Sequence, residues 1–212
     1  MKNLLVTAAV AAAFTGSAVA DIEASSGWED TSAPAILGSF GNLFDSGYES
    51  ADVYAGSSSL FMIEDPLSGT PQGYVAWVTG LSEGDTVTAT MWMKGASNGV
   101  DNDGKGRLWG HYSENDDITT YLGTASGSPD YAGEGGVWTQ ASHTWTIAEG
   151  QTALVIEARM YSYGSNSLLL GDDLTVSTNN DGATITLAGV IPAPGAIALL
   201  GVAGLASRRR RG

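Results

Sequence analysis

The sequence predicts an all-β fold, an antiparallel β-sandwich, with an N-terminal signal helix and a C-terminal hydrophobic helix that serve export rather than the core. Three observations predict it. Gly, Ser, Thr and Asp punctuate residues 21–187 at short intervals, with 29 Gly in the chain of 212. Between these breaks, short segments alternate apolar and polar residues with the period of two that a half-buried strand requires. No helix-length periodic run separates them, which favours antiparallel pairing over β-α-β units. A stretch of roughly 167 residues buries about two-thirds of its unfolded surface, so one core suffices.

Residues 1–20 read MKNLLVTAAVAAAFTGSAVA. Lys2 is a short positive n-region, Leu4 to Phe14 are apolar, and Ala18-Val19-Ala20 supplies the small-x-small pattern that signal peptidase cleaves. Cleavage after Ala20 is expected. Strand-like segments follow at Tyr74 to Thr79, Thr86 to Lys94, Thr139 to Ile147, Leu154 to Tyr161 and Asp173 to Ser177. In the second, Val87, Ala89, Met91 and Met93 share a face opposite Thr88, Thr90, Trp92 and Lys94. In the fourth, Leu154, Ile156, Ala158 and Met160 oppose Val155, Glu157, Arg159 and Tyr161. Trp109 alternates in step with Arg107 and His111. Gly95 to Gly106 and Ser113 to Gly136 read as long loops. Residues 188–212 form a third region, uncharged from Val190 to Ala206 and closed by Arg208, Arg209, Arg210 and Arg211. Its apolar run is near the roughly 17-residue minimum for spanning a bilayer, so it suits transient inner-membrane anchoring, with the arginines on the cytoplasmic side.

Charge and composition exclude several classes. All 23 acids lie between Asp21 and Asp181, where only Lys94, Lys105, Arg107 and Arg159 oppose them, a net charge of −19. Nucleic-acid binding needs clustered Lys and Arg, so it is excluded. Zero Cys removes thiol nucleophiles, thiolate metal sites and disulfides. An acidic surface repels anionic polymers, which points away from acidic polysaccharides and toward neutral sugars or a bridging divalent cation.

Two resemblances add to this reading. Pro192-Ala193-Pro194, the Gly/Ala/Leu stretch and the arginine cluster together resemble the PEP-CTERM sorting signal, with Ala where that motif carries Glu. The resemblance implies processing by exosortase and delivery to the cell surface or extracellular matrix of a Gram-negative bacterium. The body is similar to carbohydrate-binding modules of the family 4/9 type, jelly rolls related to galactose-binding-like domains. It carries Gly27-Trp28-Glu29-Asp30, Ser57 to Met62, Leu81 to Lys94, Trp138 to Ile147 and Leu168 to Val176 in the family's order. That resemblance implies a structural calcium ion held by Glu29 and by Asp172 or Asp173, oxygen ligands of the kind Ca²⁺ takes.

The candidate glycan-binding residues are Trp77, Trp92, Trp109, His111, Arg159 and Tyr161, because rings take the flat C–H faces of sugars and bury large apolar area. Asp101 to Gly106 resembles an EF-hand loop, but Lys105 and Tyr112 stand at its fifth and twelfth positions, so it reads as a turn. Catalysis is not expected. His111 and His143 lack a G-x-S-x-G elbow or an H-E-x-x-H helix, and Glu114-Asn115-Asp116-Asp117 stops short of the glutamate that closes a jelly-roll hydrolase motif. The expected role is non-catalytic polysaccharide binding in an exopolysaccharide or envelope layer. The alternatives are a structural matrix or adhesion protein that ignores sugars and, less favoured, a glycan-active enzyme.

Overall fold

The computed structural model describes residues 21–65, 70–96, 104–161 and 168–191. The signal segment with Ala18 and Ala20, the Pro192-Ala193-Pro194 motif, the arginine cluster and both expected terminal helices lie outside the described residues. So do residues 101–103 of the EF-hand-like turn. Among the described residues no helix is long and apolar enough to cross a membrane.

The fold is the expected all-β sandwich of two antiparallel sheets. The strands are β1 Ile22–Ser26, β2 Ser39–Phe40, β3 Leu43–Glu49, β4 Ser59–Glu64, β5 Gln72–Thr79, β6 Thr86–Ala96, β7 Lys105–Tyr112, β8 Gly123–Gly127, β9 Thr139–Thr146, β10 Ala153–Tyr161, β11 Leu168–Thr178 and β12 Thr184–Leu187. The first sheet runs β3-β4-β11-β6-β9, with β1 also on β11; the second runs β12-β5-β10-β7-β8, with β2 also on β5. Sequence neighbours thus often sit in opposite sheets, as a jelly roll requires.

Parity decides the core. Val87, Ala89, Met91 and Met93 of β6 meet Leu154, Ile156, Ala158 and Met160 of β10 between the sheets, all essentially buried. Their alternates, Trp92 and Lys94 on one strand and Glu157, Arg159 and Tyr161 on the other, therefore face outward from opposite sheets. Gly171 and Gly110 keep this inner layer thin, because a Cβ at either would strike Met91 or Trp145. Trp28, expected only as part of an opening motif, is fully buried with φ 53° and donates its indole N–H to Ala35 O at 2.8 Å.

Several strands arise where the sequence reads as loop or is silent, β8 and β3 among them. β8 lies inside the Ser113–Gly136 stretch, and its Gly, Ser and Thr lack the apolar alternation that marks a strand; it forms by edge pairing with β7. β3 reads as mixed polar sequence because it is an edge strand with no fully buried residue.

Candidate functional site

The outer face of the second sheet carries a cleft of about 380 Å³ lined by Phe40, Gln72, Tyr74, Trp109, His111, Thr119, Tyr121, Thr124, Glu157 and Arg159. Its floor comes from adjacent strands in register: Glu157 on β10 pairs with Tyr74 on β5 and Trp109 on β7, and Arg159 pairs with Gln72 and Arg107. A register shift at Ile156/Glu157 brings Tyr74 and Gln72 onto this face. Phe40 and Tyr121, 65% and 66% exposed, stand at the rim with their rings open to solvent.

The floor is a connected polar network. Glu157 is 1% exposed and accepts from Arg159 Nε at 3.0 Å and His111 Nδ1 at 2.5 Å. With its amide nitrogen toward Glu157 and its oxygen toward Arg159, Gln72 donates to Glu157 Oε1 at 3.0 Å and accepts from Arg159 Nη2 at 3.0 Å. Tyr74 and Tyr121 pack against the His111 ring at 5.1 and 5.6 Å. Burial first, and the Glu157 charge second, hold the Tyr74 phenol above its ordinary pKa. Arg159 lies 4.4 Å from the Trp109 ring, fixing that indole beside the network.

Three of the six candidate glycan-binding residues, Trp109, His111 and Arg159, thus meet in one cleft. Tyr161 shares their face of β10 and accepts from Arg107. Trp77 stands on the same outer face opposite Val155, beyond the cleft lining, with its indole N–H on Ser113 Oγ at 3.0 Å.

Trp92 is a correction. Its strand lies between β11 and β9 in the first sheet, so its outward face points away from the cleft. Parity places a residue inside or outside, but it does not say on which sheet. There Tyr54 stacks on Trp92 with ring centroids 4.0 Å apart, Lys94 pairs with Asp52 at 2.6 Å, and Trp138 donates to Asp52 at 3.3 Å. Trp92 is the platform on which the 50–58 loop rests.

Sequence reasoning missed Gln72, Tyr74, Glu157 and the rim rings as site residues. Glu157 was visible as an acid on the Arg159 face of its strand. The rim rings lie on a two-residue strand and a loop without periodicity, where the sequence carries no signal.

The candidate metal residues also converge in part. Gly27 lies between them: a Cβ there would be 3.7 Å from Asp172 Oδ1 and 3.8 Å from Glu29 Cγ. Both carboxylates address the same loop. Asp172 Oδ2 accepts from Tyr54 N and Ala55 N at 3.0 Å, while Glu29 accepts from Ser57 N, Ser57 Oγ and Ser58 N. Gly56, at φ 67°, permits this, since a Cβ would collide with the Glu29 carboxylate. Asp173, at φ 48°, is exposed and enters only through its N–H, which donates to Asp172 Oδ1 at 2.7 Å.

Whether calcium suits these residues turns on their donors. Asp172 is fully buried, among the described residues no cationic side chain pairs with it, and burial raises its pKa despite three N–H bonds. A cation would favour the charged form of this carboxylate, and Oδ1, which accepts from Asp173 N, keeps a second lone pair. Glu29 is exposed, its pKa lowered chiefly by the Ser57 hydroxyl and N–H, and donors already occupy both its oxygens. Among the described residues no group of three or more His, Cys, Asp or Glu assembles, so backbone carbonyls and water would have to complete the six to eight ligands of Ca²⁺. Asp172 fits, Glu29 reaches the same loop but would have to share oxygens that already accept from Ser57 and Ser58, and Asp173 contributes no side chain.

Comparison with known proteins gives no match to any family model and none to any curated protein. Solved structures do match. The CBM22-1–GH10 modules of the Clostridium thermocellum N-terminal endo-1,4-β-D-xylanase 10B, complexed with xylohexaose, align over 74% of this chain and 28% of that chain at 13% identity and a TM-score of 0.51. The likeness is one of fold. The CBM22-1 xylan-binding domain of Paenibacillus barcinonensis Xyn10C aligns over 74% of this chain and 94% of that domain, at 12% identity and a TM-score of 0.47. The K1 cleaved adhesin domain of Porphyromonas gingivalis Lys-gingipain aligns over 73% and 97%, at 16% and 0.45.

Proposed function

We propose that the protein is a non-catalytic polysaccharide-binding protein that holds a glycan chain in the cleft of its second sheet. The observation that carries this is the cleft's construction: the exposed rings of Phe40 and Tyr121 and the half-buried ring of Trp109 around a floor of polar groups held in place by Glu157. Rings take sugar C–H faces and fixed polar groups orient hydroxyls, a division that specific small-ligand sites share. The fold it shares with a xylanase structure that holds xylohexaose supports the reading. Glycoside hydrolysis is disfavoured, because it uses two carboxylates and Glu157 is the sole acid among the described residues that line the cleft, already bonded to Arg159, His111 and Gln72.

Affinity electrophoresis through soluble xylan and other neutral β-glycans tests it. The described protein should be retarded, and Trp109→Ala should weaken retardation about tenfold without lowering the melting midpoint. Trp92→Ala, on the opposite sheet, should leave retardation unchanged. No retention on any polysaccharide, with the fold intact, overturns the reading.

The setting we propose is the cell surface or extracellular matrix of a Gram-negative bacterium. The chain would reach it by signal-peptidase cleavage after Ala20, a transient inner-membrane stage, and exosortase processing near Pro192-Ala193-Pro194. The motifs at the two ends support this route. Intact-mass analysis of the envelope-released protein should find Asp21 at the N-terminus and Arg208 to Arg211 missing; a mature protein retaining both ends overturns it. Calcium is proposed as a structural ion that Asp172, with Glu29 on the same loop, would hold, because Asp172 is buried and among the described residues no cationic side chain pairs with it.

A further inference from the structure

The few bases of this acidic body are not scattered. Lys94 lies on the first sheet, paired with Asp52. The other three, Lys105, Arg107 and Arg159, stand together on the outer face of the second sheet, with Arg107 directly opposite Arg159 in register. Lys105 pairs with Glu134 at 3.1 Å and Arg159 with Glu157 at 3.0 Å.

Arg107 has no carboxylate partner among the described residues. Its Nε and Nη2 both donate to one oxygen, Tyr161 Oη, at 2.9 and 2.5 Å. A guanidinium has five N–H groups, so three lack a partner among the described residues. Rings cover its faces instead: its central carbon lies 4.6 Å from the Trp109 ring centroid, 4.9 Å from Tyr161 and 5.2 Å from Tyr131. Stacked rings strip water from a cation's faces and hold it rigid while leaving its edge available. Among the described residues no carboxylate pairs with Arg107 to offset that desolvation.

We propose that Arg107 receives the carboxylate of an acidic sugar, a uronate residue of the bound polysaccharide, at the end of the cleft that Trp109 shares. This rests on the glycan-binding reading and names the ligand class for that site. A planar guanidinium matches a carboxylate in two parallel hydrogen bonds, and the rings around it take the faces of adjoining sugars. The body's charge of −19 opposes such a ligand only at long range. At physiological salt the screening length is about 8 Å, so distant acids count for little and local pairing decides. The acids that face this stripe, Glu134 and Glu157, are each already bonded to a cation.

The test compares glucuronoxylan with the same polymer after carboxyl reduction, by affinity electrophoresis of wild type, Arg107→Lys and Arg107→Met. Wild type should bind the acidic polymer about tenfold more tightly than the reduced one, and raised salt should erode that difference. Arg107→Met should bind both alike, at the wild-type level for the reduced polymer, and Arg107→Lys should keep part of the preference. Equal binding of both polymers by wild type overturns the proposal. So does a parallel loss on both polymers in Arg107→Met, which would make Arg107 a prop for Trp109. Failure of wild type to bind either polymer defeats the glycan-binding reading itself, and this proposal with it.

Discussion

Glu157→Ala should cost about 3–5 kcal/mol of folding stability and abolish glycan retention in the fraction that stays folded. The carboxylate is buried on β10 and is the common acceptor for Arg159, His111 and Gln72. Alanine would leave a guanidinium, a ring nitrogen and an amide without their acceptor, and the cost of stranding buried donors exceeds the net worth of the bonds lost. Glu157→Gln keeps the shape and one acceptor oxygen, so its loss should be smaller. Urea unfolding followed by Trp fluorescence ranks the three proteins. Tyr74 supplies a second readout: its phenol is held high by burial and then by the Glu157 charge, so either substitution should lower its titration in ultraviolet absorbance toward the ordinary value. Wild-type midpoints in Glu157→Ala would show that the network does not hold the cleft together.

The sequence carried the sandwich well because parity is a local property. Val87 to Met93 and Leu154 to Met160 each declare an inner face within a single strand, and both faces meet in the core. Sheet membership is not local. Nothing in β6 or β7 states that they fall on opposite layers, which is why Trp92 grouped with Trp109 by type and separated from it in space. The same limit governed the site. Trp109, His111 and Arg159 were legible as polar or aromatic residues on alternating strands, whereas Gln72 and Tyr74 joined them through a register shift that no spacing rule announces. Phe40 and Tyr121 come from a two-residue strand on the edge of β5 and an irregular loop, neither with a periodic pattern to mark it.

The charge sum is blind to placement in the same way. Summing 23 acids against four bases describes the field far from the protein and pointed away from acidic polysaccharides. It says nothing about where the bases lie. Three of them share one face, interleaved with Trp109, Tyr131 and Tyr161, and that placement governs what approaches the cleft at contact distance.

Asp172→Ala should lower stability by about 2–5 kcal/mol while sparing the cleft on the other sheet. Asp172 lies at a register shift in β11, and its carboxylate draws Tyr54, Ala55 and Asp173 N–H groups onto the outer face of the first sheet. Without it those donors lose their acceptor and the Tyr54–Trp92 stack loses its anchor, so the near-ultraviolet dichroism should fall while xylan retardation persists. The pH dependence has a definite sign. Burial raises the folded-state pKa of Asp172, so the folded protein holds this proton more tightly than the unfolded chain. Its contribution is therefore most favourable below the ordinary carboxylate pKa and is lost as pH rises through the raised folded value. Glu29 runs the opposite way, with a lowered pKa whose contribution is lost as pH falls. Asp172→Asn, which removes the charge and keeps an acceptor, should flatten the decline toward neutral pH. Bound calcium would act on the same decline by neutralising the buried anion, so excess Ca²⁺ should raise the wild-type melting midpoint over EDTA and leave Asp172→Ala unmoved. A wild-type midpoint that stays fixed between EDTA and Ca²⁺, with Asp172→Ala still destabilised, leaves a metal-free clasp of two carboxylates on one loop and removes calcium from the reading.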